Sequence, residues 1–437
     1  MNSIIRFVLF LTVFLSSEIL MAQNLNNEHK WHIPRSAVLF SSRFASDSEE
    51  KINVATSFHS NALVWHYPYI GADFVDRTIV EAISRINPVV INCALPAFTR
   101  IPENACLDSS GNAISHHANE NIFYPDTTNQ GFRAEVRDFL NRASSSGCTS
   151  FQQDDPYFMV VRQNNGCYSS TDVQTLKGYV GDYYEWLHRE IASEFGQTIP
   201  LTYNRGLHDT GLYGELAEYF NGVMGETPAE ANTPENLYFA IHQDNNIRLN
   251  LATSSTLVDD SPLYNKRHIA SVYALGGHPI VPYDVYIGPG KPRFYGDHNE
   301  FGPYYNLVRE KAGLFDGHGI LDVYIDHYQN TMGVIQQQEK LSGVSSRRNV
   351  MAVLKKNDSS SRVLHVVNWQ VSRANMENGS HYFTFWIDKS LIPFNPTQVT
   401  IYRPNRPDIV APVYEDTNNR WKVTISGVDV WAVAKFQ

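Results

Sequence analysis

The sequence lacks any cluster of basic residues. Its 35 Lys and Arg are outnumbered by 45 Asp and Glu, which gives a formal net charge of -10. Binding to a nucleic-acid backbone depends on grouped Lys and Arg side chains that neutralise phosphates. We therefore expect no nucleic-acid partner.

Several catalytic motifs are also absent. No G-x-G-x-x-G turn follows the first predicted strand, no G-x-x-x-x-G-K-[ST] loop occurs, and no Ser stands in a G-x-S-x-G context. These absences argue against a dinucleotide-binding fold, a phosphate-binding loop and an esterase of the α/β-hydrolase type. The histidines have no metal-ligand spacing such as H-E-x-x-H, so we expect neither a catalytic metal nor a cofactor.

Cysteine is scarce, with only Cys93, Cys106, Cys148 and Cys167. Their spacings match no zinc site, and four are few for a disulfide scaffold. Cys106 and Cys167 fall in neighbouring predicted loops, where they could form a bridge. Cys93 and Cys148 fall at predicted strands, where we expect small core residues; a second bridge is the alternative.

Long apolar runs are confined to the N-terminus. There Arg6 precedes the run Phe7–Leu15, and Ala22 supplies a small residue for cleavage. This pattern predicts a secretory signal peptide over residues 1–22, because the run is too short to span a bilayer. No other stretch is long enough to cross a membrane. We therefore expect a secreted or periplasmic protein.

Short apolar runs alternate with amphipathic stretches over residues 30–330, and helical spacing of apolar residues is clearest over 173–195. Eight strands alternating with helices predict an α/β fold, a (β/α)8 TIM barrel, with a doubly wound open sheet as the competing arrangement. The eight candidates are SAVLF (36–40), ALVWHY (62–67), VVINCA (89–94), TSFQQDD (149–155), PLTYNR (200–205), NGVMGE (221–226), LNLATS (249–254) and PIVPYD (279–284).

After Asp326 the pattern changes. The segments RVLHVVNWQ, HYFTFWID, QVTIYRP, RWKVTIS and WAVAKF alternate in strand fashion and are separated by turn-rich stretches. They predict a small antiparallel β-sandwich over residues 345–437, joined to the barrel through SGVSSRRN.

Carboxylates stand where three predicted barrel strands end. Asp154 and Asp155 end the fourth strand, Glu226 ends the sixth, and Asp284, for which we favour an orienting role, ends the eighth. The active site of a TIM barrel is built at the carboxyl ends of its strands. The alternatives are capping and solvated roles for the aspartates and a structural ion pair of Glu226 with Arg205. The residues that we expect to bind substrate are Trp65, His66, Tyr67, Asn92, Tyr157, Tyr203, Asn204, Arg205, Tyr283 and Asp284.

Two carboxylates in an aromatic-rich cleft are typical of glycoside hydrolysis. One carboxylic acid protonates the leaving oxygen, while a carboxylate attacks the anomeric carbon or activates water. Alternation places Ser150, Gln152 and Asp154 on one side of the strand and Phe151 on the other. Because Phe151 suits packing against helices, alternation favours Asp154 as the residue that faces the cleft.

The order of elements resembles that of TIM-barrel glycoside hydrolases with a C-terminal β-sandwich, and it is most similar to enzymes related to α-galactosidases. The resemblance implies an Asp nucleophile ending strand four, here Asp154 or Asp155, and an acid/base ending strand six, here Glu226. The family pattern has aromatic, basic and acidic residues at alternate positions, which favours Asp155. This chain departs from that pattern, because Gln153 takes the basic position.

These observations predict an exported enzyme that cleaves glycosidic bonds in oligo- or polysaccharides, with carbohydrate as its partner. A non-catalytic carbohydrate-binding or adhesion protein on a barrel scaffold is the alternative. A polysaccharide lyase is a third, less favoured reading.

Overall fold

The computed structural model describes most of the chain outside its N-terminal segment. The predicted signal peptide lies outside the described residues. Within them, no helix combines the length and apolar character needed to span a bilayer. The described ranges are 33–41, 53, 55–66, 86, 88–115, 121–154, 173–204, 219–226, 233–242, 252–254, 262–281, 298–327, 334–344, 349–357, 361–370 and 381–437.

Eight parallel strands form a closed barrel. Each strand pairs with the next along the chain, and β8 pairs back with β1 through Leu39 and Ile280. This closure confirms the predicted TIM barrel over the open sheet. The strands are β1 Leu39–Ser41, β2 Ala62–His66, β3 Val90–Ala94, β4 Ser150–Gln153, β5 Leu201–Asn204, β6 Gly222–Glu226, β7 Ala252–Ser254 and β8 His278–Val281.

Four of the described helices lie between barrel strands in the chain, and the fifth follows β8. The longest coincides with the predicted apolar periodicity over 173–195. The first begins after Asn129, whose side-chain oxygen caps the helix by accepting from the amides of Gly131 and Phe132. The helices are α1 Gln130–Ser145, α2 Val173–Phe195, α3 Pro234–His242, α4 Pro262–Leu275 and α5 His298–Glu310.

The two faces of the barrel strands have different surroundings. Phe151 on β4 packs against Phe139 of α1 and Phe195 of α2, with ring centroids 6.2 and 5.4 Å away. Val64 on β2 and Met224 on β6 belong instead to a separate buried cluster inside the barrel. Strand alternation therefore assigns each position either to the helix layer or to the barrel interior.

The C-terminal strands form an antiparallel sheet in the order β10-β9-β12-β13-β18-β15-β16-β17-β14-β11. The long strand β16 pairs with β15 near its start and with β17 near its end, so the sheet folds into two layers around one core. The strands are β9 Gly319–Asp326, β10 Ile335–Gln336, β11 Leu341–Val344, β12 Val350–Lys356, β13 Arg362–Asn368, β14 His381–Asp388, β15 Gln398–Arg403, β16 Arg406–Glu415, β17 Arg420–Val428 and β18 Trp431–Phe436.

The predicted domain boundaries, 30–330 and 345–437, need correction. Strand β9 falls within the range predicted as barrel but pairs antiparallel with β12. Strand β11 falls partly within the predicted connector SGVSSRRN but pairs with β14. The β domain therefore begins near Gly319, because β9 belongs to one layer of its sheet and β11 to the other.

The barrel and the β domain share a continuous apolar interface. Trp431 on β18 is 1% exposed and stacks on Tyr273 of α4 and Tyr304 of α5, with ring centroids 6.1 and 6.4 Å away. Phe315 and His365 complete the contact, with centroids 5.7 and 6.0 Å from Trp431. This ring cluster fixes the sheet against α4 and α5 and buries both sides of the interface.

The cysteines are paired more extensively than the sequence predicts. Cys93 on β3 and Cys148, two residues before β4, form a disulfide with their Cα atoms 6.1 Å apart. The expectation that they are unpaired core residues is wrong, because neighbouring parallel strands bring them within bridging distance. Cys106 is also disulfide-bonded, while Cys167 lies outside the described residues.

Buried histidines make the fold sensitive to acid. Burial is the main cause that lowers the pKa of His278 to about 3 and the pKa of His268 to about 4. Below the ordinary His pKa of about 6.5, the unfolded chain takes up protons that the folded chain refuses. The contribution of these two neutral histidines to the free energy of unfolding is therefore fully present above pH 6.5. It is lost as the pH drops towards 3–4. At about 1.36 kcal/mol per pKa unit, the lowered pKa of His278 reduces the free energy of unfolding by roughly 2–3 kcal/mol between pH 7 and 4.5.

We expect the His278→Gln variant to lose less unfolding free energy than wild type when urea denaturation is compared at pH 7 and pH 4.5. The exposed His59 provides a matched control. His59→Gln should retain the wild-type loss between the two pH values. Equal losses for wild type and His278→Gln would contradict this account of acid sensitivity.

Candidate active site

Three predicted site residues occupy equivalent positions where neighbouring strands end. Tyr203 and Val223 belong to the core on the helix side of β5 and β6. Alternation from them places the positions of Asn204 and Glu226 on the barrel-interior face. Asp154 directly follows β4, two positions after Gln152 on the interior face. The carboxyl ends of β4, β5 and β6 thus bring these three positions to one sector of the barrel mouth.

The spacing of these strands suits a two-carboxylate site. Strands β4 and β6 are separated only by β5, so their backbones lie about 10 Å apart, or two interstrand spacings. Asp154 itself is half-buried, and its carbonyl accepts a hydrogen bond from Gln153 Nε2 at 2.8 Å.

Gln152 is a polar residue of this sector that the site prediction left out. Its side chain is 2% exposed, and its Nε2 has no hydrogen-bond partner among the described residues. A buried, unsatisfied amide is costly, and at a functional site it marks a group that awaits a ligand or an ordered water. The available signal was the alternation that places Gln152 on the same strand face as Asp154.

The layer below Gln152 is a polar network inside the barrel. Asn92 Nδ2 donates to Ser150 Oγ at 3.0 Å and to Thr202 Oγ1 at 3.4 Å. Thr202 Oγ1 in turn donates to the carbonyl of Phe151 at 3.1 Å. Asn92, predicted to bind substrate, lies mid-strand and is 1% exposed, with Ala94 nearer the mouth. In this structure it therefore belongs to the buried network below the mouth.

Tyr203 is also not a substrate-binding residue. Its side chain is 1% exposed and packs on Phe220, with ring centroids 4.7 Å apart, within the core between strands and helices. The sequence prediction placed Tyr203 near the end of a strand but did not consider on which side of that strand its side chain lies. Alternation assigns Tyr203 to the helix side and its neighbour Asn204 to the interior.

The remaining predicted residues divide into two groups. For Trp65, His66, Asn204 and Glu226, only the backbone position is described, and a β-bulge interrupts strand pairing between Leu63 and His66. The residues Asp155, Tyr67, Tyr157, Arg205, Tyr283 and Asp284 lie outside the described residues. Among the described side chains, no group of His, Cys, Asp and Glu is arranged to hold a metal ion.

No protein-family model matches the chain, and no curated protein matches it in sequence. Solved structures do match its fold. The cycloisomaltooligosaccharide glucanotransferase of Paenibacillus sp. has a TM-score of 0.65 and 10% identity, over 93% of this chain and 85% of that one. A maltogenic α-amylase from Thermotoga neapolitana has a TM-score of 0.54 and 11% identity, over 92% and 99%.

A third similar structure is a GH27 β-L-arabinopyranosidase variant from Geobacillus stearothermophilus in complex with arabinose. It has a TM-score of 0.50 and 8% identity, over 92% of this chain and 96% of that one. At such low identities the likeness concerns the fold alone, and it extends over barrel and β domain together. The chain therefore has the fold of a TIM barrel followed by a C-terminal antiparallel β domain, which is the fold of these structures.

Proposed function

We propose that the protein is an exported glycoside hydrolase that cleaves oligo- or polysaccharides with Asp154 and Glu226. The observation that carries the proposal is their placement on the interior face at the carboxyl ends of β4 and β6, two strands apart. Active sites of TIM-barrel enzymes are built at this end of the strands. The N-terminal pattern over residues 1–22 supports export.

The similar structures support a carbohydrate substrate. Their names describe a glucanotransferase bound to a cyclic oligosaccharide, a maltogenic amylase and an arabinopyranosidase bound to arabinose. Fold alone does not determine function, since TIM barrels host many chemistries. The carboxylate positions and the fold likeness together favour glycoside hydrolysis.

In the proposed reaction, Glu226 donates a proton to the leaving glycosidic oxygen. Asp154 stabilises the positive charge that develops at the anomeric carbon and either attacks it or activates a water molecule. A separation of about 5 Å between the two carboxyl groups would give retention, and about 6.5–9.5 Å would give inversion. Gln152 lies two residues before Asp154 on the same strand face. In the proposed complex, its Nε2 donates a hydrogen bond to a sugar hydroxyl or to the Asp154 carboxylate.

The proposal predicts release of new reducing ends from a panel of α- and β-linked oligosaccharides. Glu226→Gln should lower kcat by about 10²–10⁴-fold, the usual contribution of a general acid. Substrates with activated leaving groups, which need little protonation, should be much less affected by the substitution. This contrast would assign the proton-donor role to Glu226 itself.

Gln338 is an exposed residue between β10 and β11 of the β domain and provides a control position. Gln338→Glu should retain wild-type turnover. Wild-type turnover by Glu226→Gln would remove this residue from the mechanism. No release of reducing ends from any member of the panel would contradict the proposed function.

A further inference from the structure

The outer face of the β domain exposes aromatic side chains. On β14, Phe383 and Phe385 point into the sandwich core, whereas the alternate residues Tyr382 and Trp386 lie on the opposite, outward face. Tyr382 is 67% exposed, and Tyr414 on β16 is 60% exposed. These rings lie on one side of the sheet and do not contribute to packing of the core.

The strand register places Trp386 and Tyr414 on either side of one strand. Both pair with the same residue, Lys422 of β17. Their backbones are therefore about 10 Å apart, which is two interstrand spacings. We define Tyr382, Trp386, Tyr414 and Lys422 as the aromatic face. At this separation, the two rings can contact different residues of one chain molecule.

Polar groups surround these rings. Lys422 Nζ lies 5.6 Å from the Trp386 ring centroid, and the guanidinium of Arg420 lies 5.8 Å from it. In the next row, the hydroxyl oxygens of Thr384 and Thr424 are 3.0 Å apart. The aromatic face thus combines apolar ring surfaces with hydrogen-bonding side chains.

The aromatic face is separate from the interface with the barrel. The layer that contains β12 and β18 packs its outer residues, including Met351 and Trp431, against the helices. Strands β14 and β17 belong to the other layer, whose inner residues fill the sandwich core. The aromatic face therefore lies on the side of the sandwich away from the barrel.

We propose that the aromatic face binds a polysaccharide chain, with sugar rings stacked on Trp386 and Tyr414. A sugar presents an apolar C–H face to an aromatic ring and hydroxyls to flanking Lys and Thr side chains. A protein partner is less well matched, because the rings are interspersed with charged residues instead of forming a continuous aliphatic patch. The choice of a glycan as ligand rests on the proposed function, although the surface itself does not contribute to catalysis.

The test is sedimentation of the full-length protein with granular starch and with cross-linked dextran. The Asp154→Asn background is used so that the glycan is not consumed. We expect this parent to bind at least one of the two, and Trp386→Ala combined with Tyr414→Ala to weaken binding by tenfold or more. Val89→Ala truncates an exposed apolar side chain that precedes β3, at the end of the barrel opposite the candidate site, and should leave binding unchanged.

A second measurement separates this inference from the proposed function. In the wild-type background, the double variant should hydrolyse a short soluble oligosaccharide at the wild-type rate. Failure of the parent to bind either glycan, or unchanged binding by the double variant, would overturn the inference without affecting hydrolysis. A shift from dimer to monomer in the double variant would also overturn it, because the face would then bind a second copy of the chain. Glycan binding without any hydrolysis would instead contradict only the proposed function.

Discussion

Replacement of Asp154 with Asn is expected to lower kcat/KM for glycan hydrolysis by about 10²–10⁴-fold, or more if the carboxylate is the nucleophile. The amide keeps the size of the side chain but lacks the negative charge that stabilises an oxocarbenium-like transition state. Asp154 is half-buried and follows β4, so the substitution should leave the fold intact. Initial rates and a urea unfolding curve, measured on the same preparation, check both expectations.

Asp155→Asn is the matched control, since it makes the same chemical change one residue later. Phe151 packs on the helix side of β4, so alternation favours Asp154 as the residue that faces the barrel interior. We expect Asp155→Asn to retain activity within about tenfold of wild type. Loss of activity only in Asp155→Asn would reverse the assignment and support the register of the α-galactosidase pattern.

Replacement of Trp431 with Ala is expected to lower the free energy of unfolding by about 3–5 kcal/mol, the usual cost of truncating a buried Trp. The side chain is 1% exposed and contacts rings from both the barrel and the β domain. Its loss would open a cavity where α4 meets β18. Urea denaturation monitored by circular dichroism measures the loss, and separate unfolding transitions for the two domains would accompany it.

Two variants control for the chemistry of this substitution. Trp386→Ala removes the same side chain from the solvent-facing surface of β14, where surface changes usually stay within about 0.5 kcal/mol. Trp431→Phe keeps most of the ring area and removes an indole N–H that has no partner in the described part of the chain, so it should cost much less than Ala. Similar destabilisation by Trp386→Ala and Trp431→Ala would contradict the importance of the interface.

The barrel could be predicted because its strands are buried on both faces. Such strands are short apolar runs, as in VVINCA, and the intervening helices carry a 3.6-residue period. The boundary of the β domain was harder to predict. Residues 319–326 form a strand only a few residues after the last helix and a short 3-10 turn, and only their pairing with β12 reveals the domain to which they belong.

The candidate site was predictable only to the level of strand ends. Position along the strand led to the prediction of Asp154 and Glu226, and it equally suggested Tyr203, which faces the helices. The disulfide of Cys93 and Cys148 depends on which strands are neighbours, and local sequence does not contain that information. Gln152 was overlooked because an amide in a strand attracts attention only when its hydrogen-bond partners are known to be missing.

The most direct test of the two-carboxylate site is a crystal structure of the Asp154→Asn variant with an oligosaccharide that the wild-type protein cleaves. We predict that the sugar lies across the carboxyl ends of β4 and β6. Residue 154 and Glu226 should flank one glycosidic bond, with their side-chain oxygens about 5–9.5 Å apart. A sugar bound away from this end of the barrel, or a Glu226 carboxyl group directed away from the bound sugar, would contradict the proposal.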